Sequence, residues 1–265
     1  RIYRVEAWVN GRKYNYTLID EDGSSTIVIN APEMNETLDP GETISVEVSY
    51  LVSINESKRI YTILDFITTN DPYTLLPLAG SWDELKEASN ESTTGITRLW
   101  NYTHPLIRLL AKYLNNTVVT SKPLGFLLGA LEWFDKNIVY STRIPPRYPW
   151  EVIVEGGGDC DDQSNLLITL LRLRGIPSFL EIGFVFIHEN YKYSDTEADG
   201  YYSIEFRGGG GHGWVVAYIP PWGWLPVDLT FGYTTTMRNP LNAIELSALS
   251  SKWNLLTIQT DNIIS

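Results

Sequence analysis

One cysteine stands in a setting that suits a nucleophile. Cys160 is the single cysteine of the chain, and it follows Gly156-Gly157-Gly158-Asp159 at the predicted start of a helix. A helix N-terminus presents unpaired N–H groups and partial positive charge, which favour a thiolate and can bind an oxyanion. The alternative is a small buried apolar residue, the commoner role of a free cysteine. The glycine run and the flanking aspartates favour the nucleophile, because a core position needs neither.

Three aspartates beside this cysteine oppose its activation. Asp159, Asp161 and Asp162 bring negative charge close to the sulfur, and like charge raises the pKa of a thiol. Asp159 is also the candidate N-cap of the helix, and its oxygen would then accept backbone N–H bonds. A thiolate at Cys160 therefore needs a neighbouring imidazolium.

Among the three histidines, sequence context selects one as that partner. His212 follows four glycines at the predicted start of a strand, where an exposed ring can meet a substrate. His104 precedes a proline at a helix start, which indicates a helix cap. His188 borders an acidic segment and is expected in solvent.

Asp228 is the candidate carboxylate for this histidine. It lies in an apolar run on the next strand of the same predicted hairpin, where a charge is costly unless it is paired. A turn centred on Pro220 would place it opposite His212, whereas a later turn would place it opposite Val215 and need a bulge. There it would orient the imidazole and stabilise its charged form. The alternative is a strand-end aspartate that bonds to a turn.

The elements that must position these groups divide the chain into two parts. Residues 1 to about 70 predict short strands at the spacing of a small β-sandwich, and the helical period begins at Ser81. Asp71-Pro72 is the predicted boundary, so we expect a β-sandwich-like domain over residues 1–72 and a core over residues 73–265. Turns are predicted at Asn10-Gly11, Asp22-Gly23 and Pro40-Gly41, and further helices at His104-Pro105, Pro123 and Cys160.

Three sequence blocks together resemble the core of the transglutaminase-like superfamily. The resemblance covers roughly residues 100–235 and implies an α+β, papain-like fold in which a cysteine at a helix start packs on an antiparallel sheet. The segment ahead of it is similar to the sandwich modules of many secreted microbial members. The blocks are Gly158-Asp159-Cys160-Asp161-Asp162 with the helix ending at Arg174-Gly175-Ile176-Pro177, then His212-x-Trp214, then Gly223-Trp224-x-Pro226-Val227-Asp228-x-Thr230.

The resemblance also implies an activity and residue roles. Cys160 would be the nucleophile, His212 the general base and then acid, and Asp228 the orienting group. The implied reaction is acyl transfer or hydrolysis at peptide or carboxamide bonds through a thioester, and we expect a cysteine peptidase or amidase because water is always available. A cross-linking transglutaminase and a non-catalytic cell-surface binding or structural module are the alternatives. A zinc hydrolase is disfavoured, because no short-spaced ligand pair accompanies these residues.

Further predictions concern the residues that bind substrate and the presence of metal ions. Trp150 and Trp214 are candidate substrate-binding residues, and Trp150 is also the candidate for a second oxyanion donor. We expect no cofactor and no metal, with calcium as the alternative at an acidic segment similar to a calcium loop. A hairpin tip is favoured there, because strands are predicted on both sides and position 12 is Phe206. The residues similar to a calcium loop are Asp195, Glu197, Asp199 and Gly200.

Composition limits the partners. The chain has 265 residues, 43% of them hydrophobic and 12% aromatic, which excludes disorder. Its 32 acidic and 20 basic side chains give a net charge of −12. Such a surface repels phosphate backbones, so we expect a protein or peptide substrate and no nucleic acid. No run of 18 apolar residues predicts a membrane span.

Glycosylation sequons indicate the compartment. Six Asn-x-Ser/Thr motifs lie within the first 120 residues, where chance would supply about two. A threonine- and asparagine-rich surface is the alternative, but we expect an extracellular or cell-surface glycoprotein. The chain opens on Arg1 rather than Met, which favours a processed or excised piece. The candidate sites are Asn15, Asn35, Asn55, Asn90, Asn101 and Asn115.

Overall fold

The structure, a computed structural model, contains two compact units, residues 1–56 and 57–265. The predicted domain boundary at residue 72 stays a prediction, and the units divide earlier, after residue 56. Among the described residues, no helix combines the length and apolar character that crossing a membrane requires. The described residues are 2–21, 24–31, 43–52, 61–69, 71–186, 192–197, 202–207, 209–230, 240–250 and 255–259.

Antiparallel strands build the first unit, as predicted. Strand β1 pairs with β2 on one side and β5 on the other, and β3 pairs with β4. Asn10 and Gly11 both have positive φ, 49° and 77°, which a two-residue type I′ hairpin turn requires. The predicted turns at Asp22-Gly23 and Pro40-Gly41 lie outside the described residues. The strands are β1 (Ile2–Val9), β2 (Arg12–Tyr14), β3 (Tyr16–Glu21), β4 (Ser24–Ile29) and β5 (Val46–Val52).

Helices form most of the first half of the second unit. Three of them begin where proline supplies the first helical residue. The segment Thr62–Phe66 was predicted as β but forms a 3-10 turn, with Ile63 fully buried in the core. Two further 3-10 turns are Pro72–Leu75 and Trp82–Glu87. The helices are α1 (Glu91–Thr94), α2 (Pro105–Thr117), α3 (Pro123–Asn137), α4 (Pro149–Glu155), α5 (Cys160–Leu173) and α6 (Asn242–Ser250).

A four-stranded antiparallel sheet, in the order β12-β11-β8-β13, forms the second half. A separate hairpin pairs β9 with β10, and a short parallel pair joins β6 to β7. The strands are β6 (Val139–Tyr140), β7 (Gly157–Gly158), β8 (Ser178–Phe186), β9 (Lys192–Glu197), β10 (Tyr202–Arg207), β11 (Gly209–Ile219), β12 (Gly223–Val227) and β13 (Leu255–Gln259).

Helix α5 packs on this sheet through one apolar core, which confirms the predicted fold class. Leu166, Leu167, Leu170 and Leu171 of the helix share the core with buried residues of β8 and β11. The helix ends at a left-handed Gly175 (φ 76°), where Ile176 N–H donates to Leu171 O and closes a Schellman-type cap. Packing and cap together set the direction of α5 and therefore the position of Cys160 at its N-terminus.

Candidate active site

Cys160 is the first residue of α5 and is half-buried. Asp159 caps the helix as predicted: its Oδ1 accepts the N–H of Asp162 at 3.2 Å, and its main-chain oxygen accepts the N–H of Gln163 at 3.1 Å. The first N–H groups of an α-helix have no partner within the helix. The N–H groups of Cys160 and Asp161 precede the two that Asp159 binds, and they are therefore the candidate oxyanion donors.

The glycines ahead of the cysteine serve close packing. Gly157 and Gly158 are buried, so they do not form the exposed backbone that a substrate would approach. A Cβ on Gly157 would lie 2.6 Å from Ser141 Oγ, and one on Gly158 would lie 2.9 Å from Asp162 Cβ. The strand β7 can therefore lie beside the first turn of α5 only without side chains at these positions.

His212 and Asp228 are joined by a hydrogen bond of 2.5 Å between Nε2 and Oδ2. The last pair of the β11–β12 ladder is Val215 with Val227, so Asp228 comes level with Trp214, two residues from His212 on the same face. Both registers considered from the sequence, with Asp228 opposite His212 or opposite Val215, are therefore wrong. The contact between His212 and Asp228 is diagonal and needs no bulge. Residues two apart across a ladder are within reach of long side chains.

Asp228 is itself held in place on its other side. Its Oδ1 accepts hydrogen bonds from the N–H and the hydroxyl of Thr230, at 3.0 and 3.2 Å. Its own N–H donates to Ala243 O at 2.9 Å, in the first turn of α6. The carboxylate is 4% exposed, so it is a desolvated, oriented acceptor for the histidine.

The sulfur of Cys160 lies close enough to the imidazole of His212 to raise its pKa, so the three predicted residues lie together in the structure. Nε2 faces Asp228, so Nδ1 is the ring nitrogen left for the sulfur. Burial alone would lower the pKa of His212, but the charge and hydrogen bond of Asp228, with a smaller contribution from Cys160, raise this pKa to about 10. The imidazolium is therefore the stable form at neutral pH.

A buried ion pair with Arg147 balances the charge of Asp162. Arg147 donates to its two oxygens, from the main-chain N–H at 2.7 Å and from Nη1 at 2.8 Å. Arg147 also binds Glu155, and Arg143 binds both Glu155 and Glu151. Burial raises the pKa of Asp162, and the bonds to Arg147 oppose that rise. This network joins the loop before α4, α4 itself and the first turn of α5.

Arg147 was missed at the level of sequence. It lies in a proline-broken aromatic loop, and no motif marks it. The available signal was Asp162: a carboxylate in the first turn of an apolar helix requires a buried cation, and the loop before α4 holds Arg143 and Arg147. Choosing between the two arginines required the tertiary structure, in which Arg147 is 6% exposed.

Asp159, which caps α5, has a pKa raised far enough to favour its neutral form at neutral pH. Burial, the charge of Asp161 and a hydrogen bond to it raise the pKa of Asp159 to about 8. Cys160 Sγ lies 4.0 Å from Asp161 Oδ1. Three negative charges were predicted to oppose the thiolate. Protonation reduces the charge of Asp159, and the ion pair with Arg147 balances the charge of Asp162.

These aspartates are also the acidic group most able to hold a metal ion. Within the described part of the chain, Asp159, Asp161 and Asp162 form the one group whose ligand atoms lie within 4.8 Å of each other. The bond between Asp159 and Asp161 and the ion pair of Asp162 already use these oxygens. The predicted calcium segment lies elsewhere, with Asp195 and Glu197 on β9, whereas Asp199 and Gly200 lie outside the described residues.

The two candidate tryptophans lie in different environments. Trp214 is 2% exposed and its indole tilts by 30° against the ring of His212, with centroids 5.8 Å apart. Trp150 is 37% exposed and stacks on His104 at 5.3 Å. His104 is the cap of α2, as predicted, with Nδ1 accepting the N–H of Leu106. Roles in substrate binding stay predictions, but only Trp150 offers much surface.

The candidate glycosylation sites also differ in exposure. Asn15, Asn90 and Asn101 are exposed, and the latter two accept hydrogen bonds from the hydroxyl of their own sequon, Ser92 and Thr103. Asn115 is half-buried on α2, and its Oδ1 has no partner among the described residues. Asn35, Asn55 and the predicted solvent residue His188 lie outside the described residues.

The family comparison concerns the segment that holds the three candidate active-site residues. The model of the transglutaminase-like superfamily matches residues 113–229, which include Cys160, His212 and Asp228. No curated protein matches the chain. The three sequence blocks that resemble this superfamily fall within the matched segment, apart from Thr230.

Solved structures with detectable likeness are distant. The periplasmic domain of TgpA from Pseudomonas aeruginosa shares 22% identity over 47% of this chain, with a TM-score of 0.34, and this chain spans 43% of that domain. A candidate cysteine protease from Cytophaga hutchinsonii shares 16% identity over 92% of this chain and 68% of its own, with a TM-score of 0.46. The family match shows that residues 113–229 of this chain are similar to the transglutaminase-like superfamily.

Proposed function

We propose that the chain is a thiol-dependent acyl-transfer enzyme that hydrolyses peptide or carboxamide bonds. The observation that carries this proposal is the hydrogen bond between His212 and the buried Asp228, with Cys160 close to the same imidazole. The family match supports a thiol-dependent enzyme in the coarser sense. A binding or structural module would need neither a buried carboxylate behind the histidine nor a cysteine at a helix start.

The first half-reaction forms an acyl-enzyme. The thiolate of Cys160 attacks the carbonyl carbon of the substrate, and the π electrons of that carbonyl move to its oxygen. The N–H groups of Cys160 and Asp161 stabilise the resulting oxyanion. The oxyanion then re-forms the carbonyl, the C–N bond breaks, and the Nδ1–H of His212 protonates the departing amine or ammonia. A thioester on Cys160 and a neutral imidazole remain.

The second half-reaction consumes water. Neutral His212 takes a proton from a water molecule, whose oxygen attacks the thioester carbonyl. The C–S bond breaks, the carboxylic acid leaves, and the thiolate and imidazolium are restored. Asp228 holds the imidazole by Nε2 and stabilises its charged form throughout. If an amine replaced water, the same steps would form a new amide, which is the cross-linking alternative.

Substrate and location are part of the proposal. The half-buried sulfur of Cys160 and the acidic chain favour an extended peptide or protein segment over nucleic acid. We propose an extracellular or cell-surface protein that carries glycans on the exposed asparagines Asn15, Asn90 and Asn101. No step of this mechanism requires a metal ion.

Alkylation of Cys160 tests the shared nucleophile. The full chain is treated with iodoacetamide at neutral pH, and labelling of Cys160 is followed by mass spectrometry in the wild type, His212→Ala and Cys160→Ala. We expect rapid labelling of the wild type, slower labelling of His212→Ala by about two orders of magnitude, and none of Cys160→Ala. Equal labelling of wild type and His212→Ala contradicts the ion pair.

Incubation with a glutamine-containing peptide then separates the outcomes. Conversion of glutamine to glutamate or cleavage of the peptide supports hydrolysis. Incorporation of an added primary amine in place of water supports the cross-linking reaction. An alkylatable cysteine that forms no thioester with any peptide of a diverse library supports the non-catalytic module.

A further inference from the structure

Glu181 is a buried carboxylate that the proposed reaction does not use. It lies on β8 and is 2% exposed. The β8–β11 ladder places it directly opposite Trp214, and its Oε2 accepts the indole N–H of Trp214 at 3.0 Å. A buried carboxylate is costly unless it is bonded, and a buried indole N–H needs an acceptor. This bond gives the indole its acceptor and gives the carboxylate one of its partners.

Trp214 connects this pair to the histidine. Trp214 and His212 are two residues apart on β11 and so share a face of the sheet, with ring centroids 5.8 Å apart. The bond from Nε2 to Asp228 fixes one edge of the imidazole, but a single hydrogen bond leaves the ring able to tilt about that bond. The indole packed beside the imidazole restricts that tilt, and the tilt decides where Nδ1 lies relative to Cys160.

We propose that Glu181 is a positioning residue that acts on His212 through Trp214. Its hydrogen bond holds the indole in one orientation, and the indole in turn holds the imidazole so that Nδ1 faces the sulfur. The inference rests on the proposed function, because this orientation has a consequence only if His212 exchanges a proton with Cys160. A misplacement of about 1 Å can reduce a rate about a hundredfold, so an indirect contact of this kind is measurable.

Two variants of Glu181 separate positioning from packing. Glu181→Gln keeps an oxygen that can accept the indole N–H, whereas Glu181→Leu keeps the bulk and removes the acceptor. Ile219→Ala is the matched control, because Ile219 is a fully buried residue at the far end of β11, the strand that carries Trp214. It lowers stability without touching the Glu181–Trp214 pair.

Two readouts are applied to the full chain. One is the rate of Cys160 alkylation by iodoacetamide. The other is the NMR signal of His212 in protein labelled with ¹³C-histidine, where three histidines give a spectrum that can be assigned by substitution. The ring current of the neighbouring indole makes the His212 signal sensitive to their relative orientation, and this signal exists whether or not the chain is an enzyme.

We expect Glu181→Leu to slow alkylation about tenfold or more and to shift the His212 signal. Glu181→Gln should stay within about threefold of the wild-type rate, because it retains the hydrogen bond. Ile219→Ala should leave both readouts unchanged. If Glu181→Leu does not fold, Trp214→Phe replaces it, because phenylalanine keeps a ring but removes the donor. The rate of alkylation then decides the test, because the new ring changes the ring current at His212 by itself, and a rate equal to that of the wild type would overturn the inference.

Three other results would overturn the inference. These are a Glu181→Leu variant with unchanged rate and signal, a Glu181→Gln variant as impaired as Glu181→Leu, and an Ile219→Ala control with the same shift of the His212 signal. A wild-type chain whose Cys160 resists alkylation instead contradicts the proposed function. In that case the His212 signal still tests whether Glu181 orients the imidazole.

Discussion

At the scale of single residues, the charge of His212 depends on the neighbouring carboxylate of Asp228. The neighbouring Asp228 outweighs burial and raises the pKa of His212 to about 10. The folded state therefore retains a proton that an unfolded chain would lose near the usual pKa of about 6.5. This part of the free energy of unfolding is fully present below that pH and is lost as the pH rises toward 10.

Asp228→Asn should lower the pKa of His212. Asparagine keeps the shape of the side chain but removes the charge, so burial, which disfavours the imidazolium, then dominates. We expect the His212 signal of ¹³C-histidine-labelled protein to titrate near pH 10 in the wild type and at a clearly lower pH in the variant. His104 serves as the internal control, and identical titration of His212 in both proteins would contradict the assigned charge pair.

Asp159→Asn should change how stability depends on pH. The pKa of Asp159 rises from its usual 3.8 to about 8 on folding, so the folded state binds an extra proton between these values and the free energy of unfolding falls as the pH rises through them. Asparagine does not titrate, and it still caps the N–H of Asp162. We expect the variant to gain stability relative to wild type as the pH rises.

Urea unfolding at several pH values across this range measures the difference directly. The contributions of His212 and of the groups that do not contact Asp159 are common to both proteins and cancel in the comparison. A stability difference that does not vary with pH would show that Asp159 is ionised in the folded state.

At the scale of elements, the ion pair of Arg147 with Asp162 joins the loop before α4 to the first turn of α5. Both side chains are buried, 6% and 0% exposed, and Arg147 also holds Ser141 O at 3.0 Å. Removing one partner of a buried pair leaves an uncompensated charge, which costs more than the pair contributes. The network therefore fixes the loop against the helix that carries the cysteine.

Arg147→Met should destabilise the fold by about 3–5 kcal/mol. Arg143→Met is the control, because Arg143 binds the same Glu155 from a more exposed position (31%), and pairs of that kind contribute about 1 kcal/mol or less. Urea unfolding of both variants gives the comparison. Adding Asp162→Leu to Arg147→Met should recover part of the loss, and a double variant less stable than either single one would contradict the unpaired-charge explanation.

At the scale of the whole molecule, residues 57–265 contain every described member of the continuous core and the whole candidate site. A segment with its own core is expected to fold independently. We expect residues 57–265 expressed alone to unfold cooperatively in urea and to keep the wild-type rate of Cys160 alkylation. Loss of cooperative unfolding, or a rate lowered to that of His212→Ala, would contradict this independence.

Local signals predicted the elements well where short-range chemistry decides the conformation. Asn10-Gly11 predicted the first hairpin, Pro105 and Pro123 predicted helix starts, and Asp159 predicted the cap of α5. The 3-10 turn at Thr62–Phe66 was not predicted, because its conformation depends on the burial of Ile63 in a core formed by distant residues.

The sequence by itself determined which groups are available for chemistry: one thiol, one histidine after a glycine run and one aspartate in an apolar strand. Only the tertiary structure decided how Asp228 reaches His212, because the ladder register depends on packing on both faces of the sheet. It also decided which charges act on the thiol, since Arg147 neutralises Asp162 and a proton neutralises Asp159. Electrostatic interactions depend on distance and burial, and neither quantity can be read directly from the order of residues along the chain.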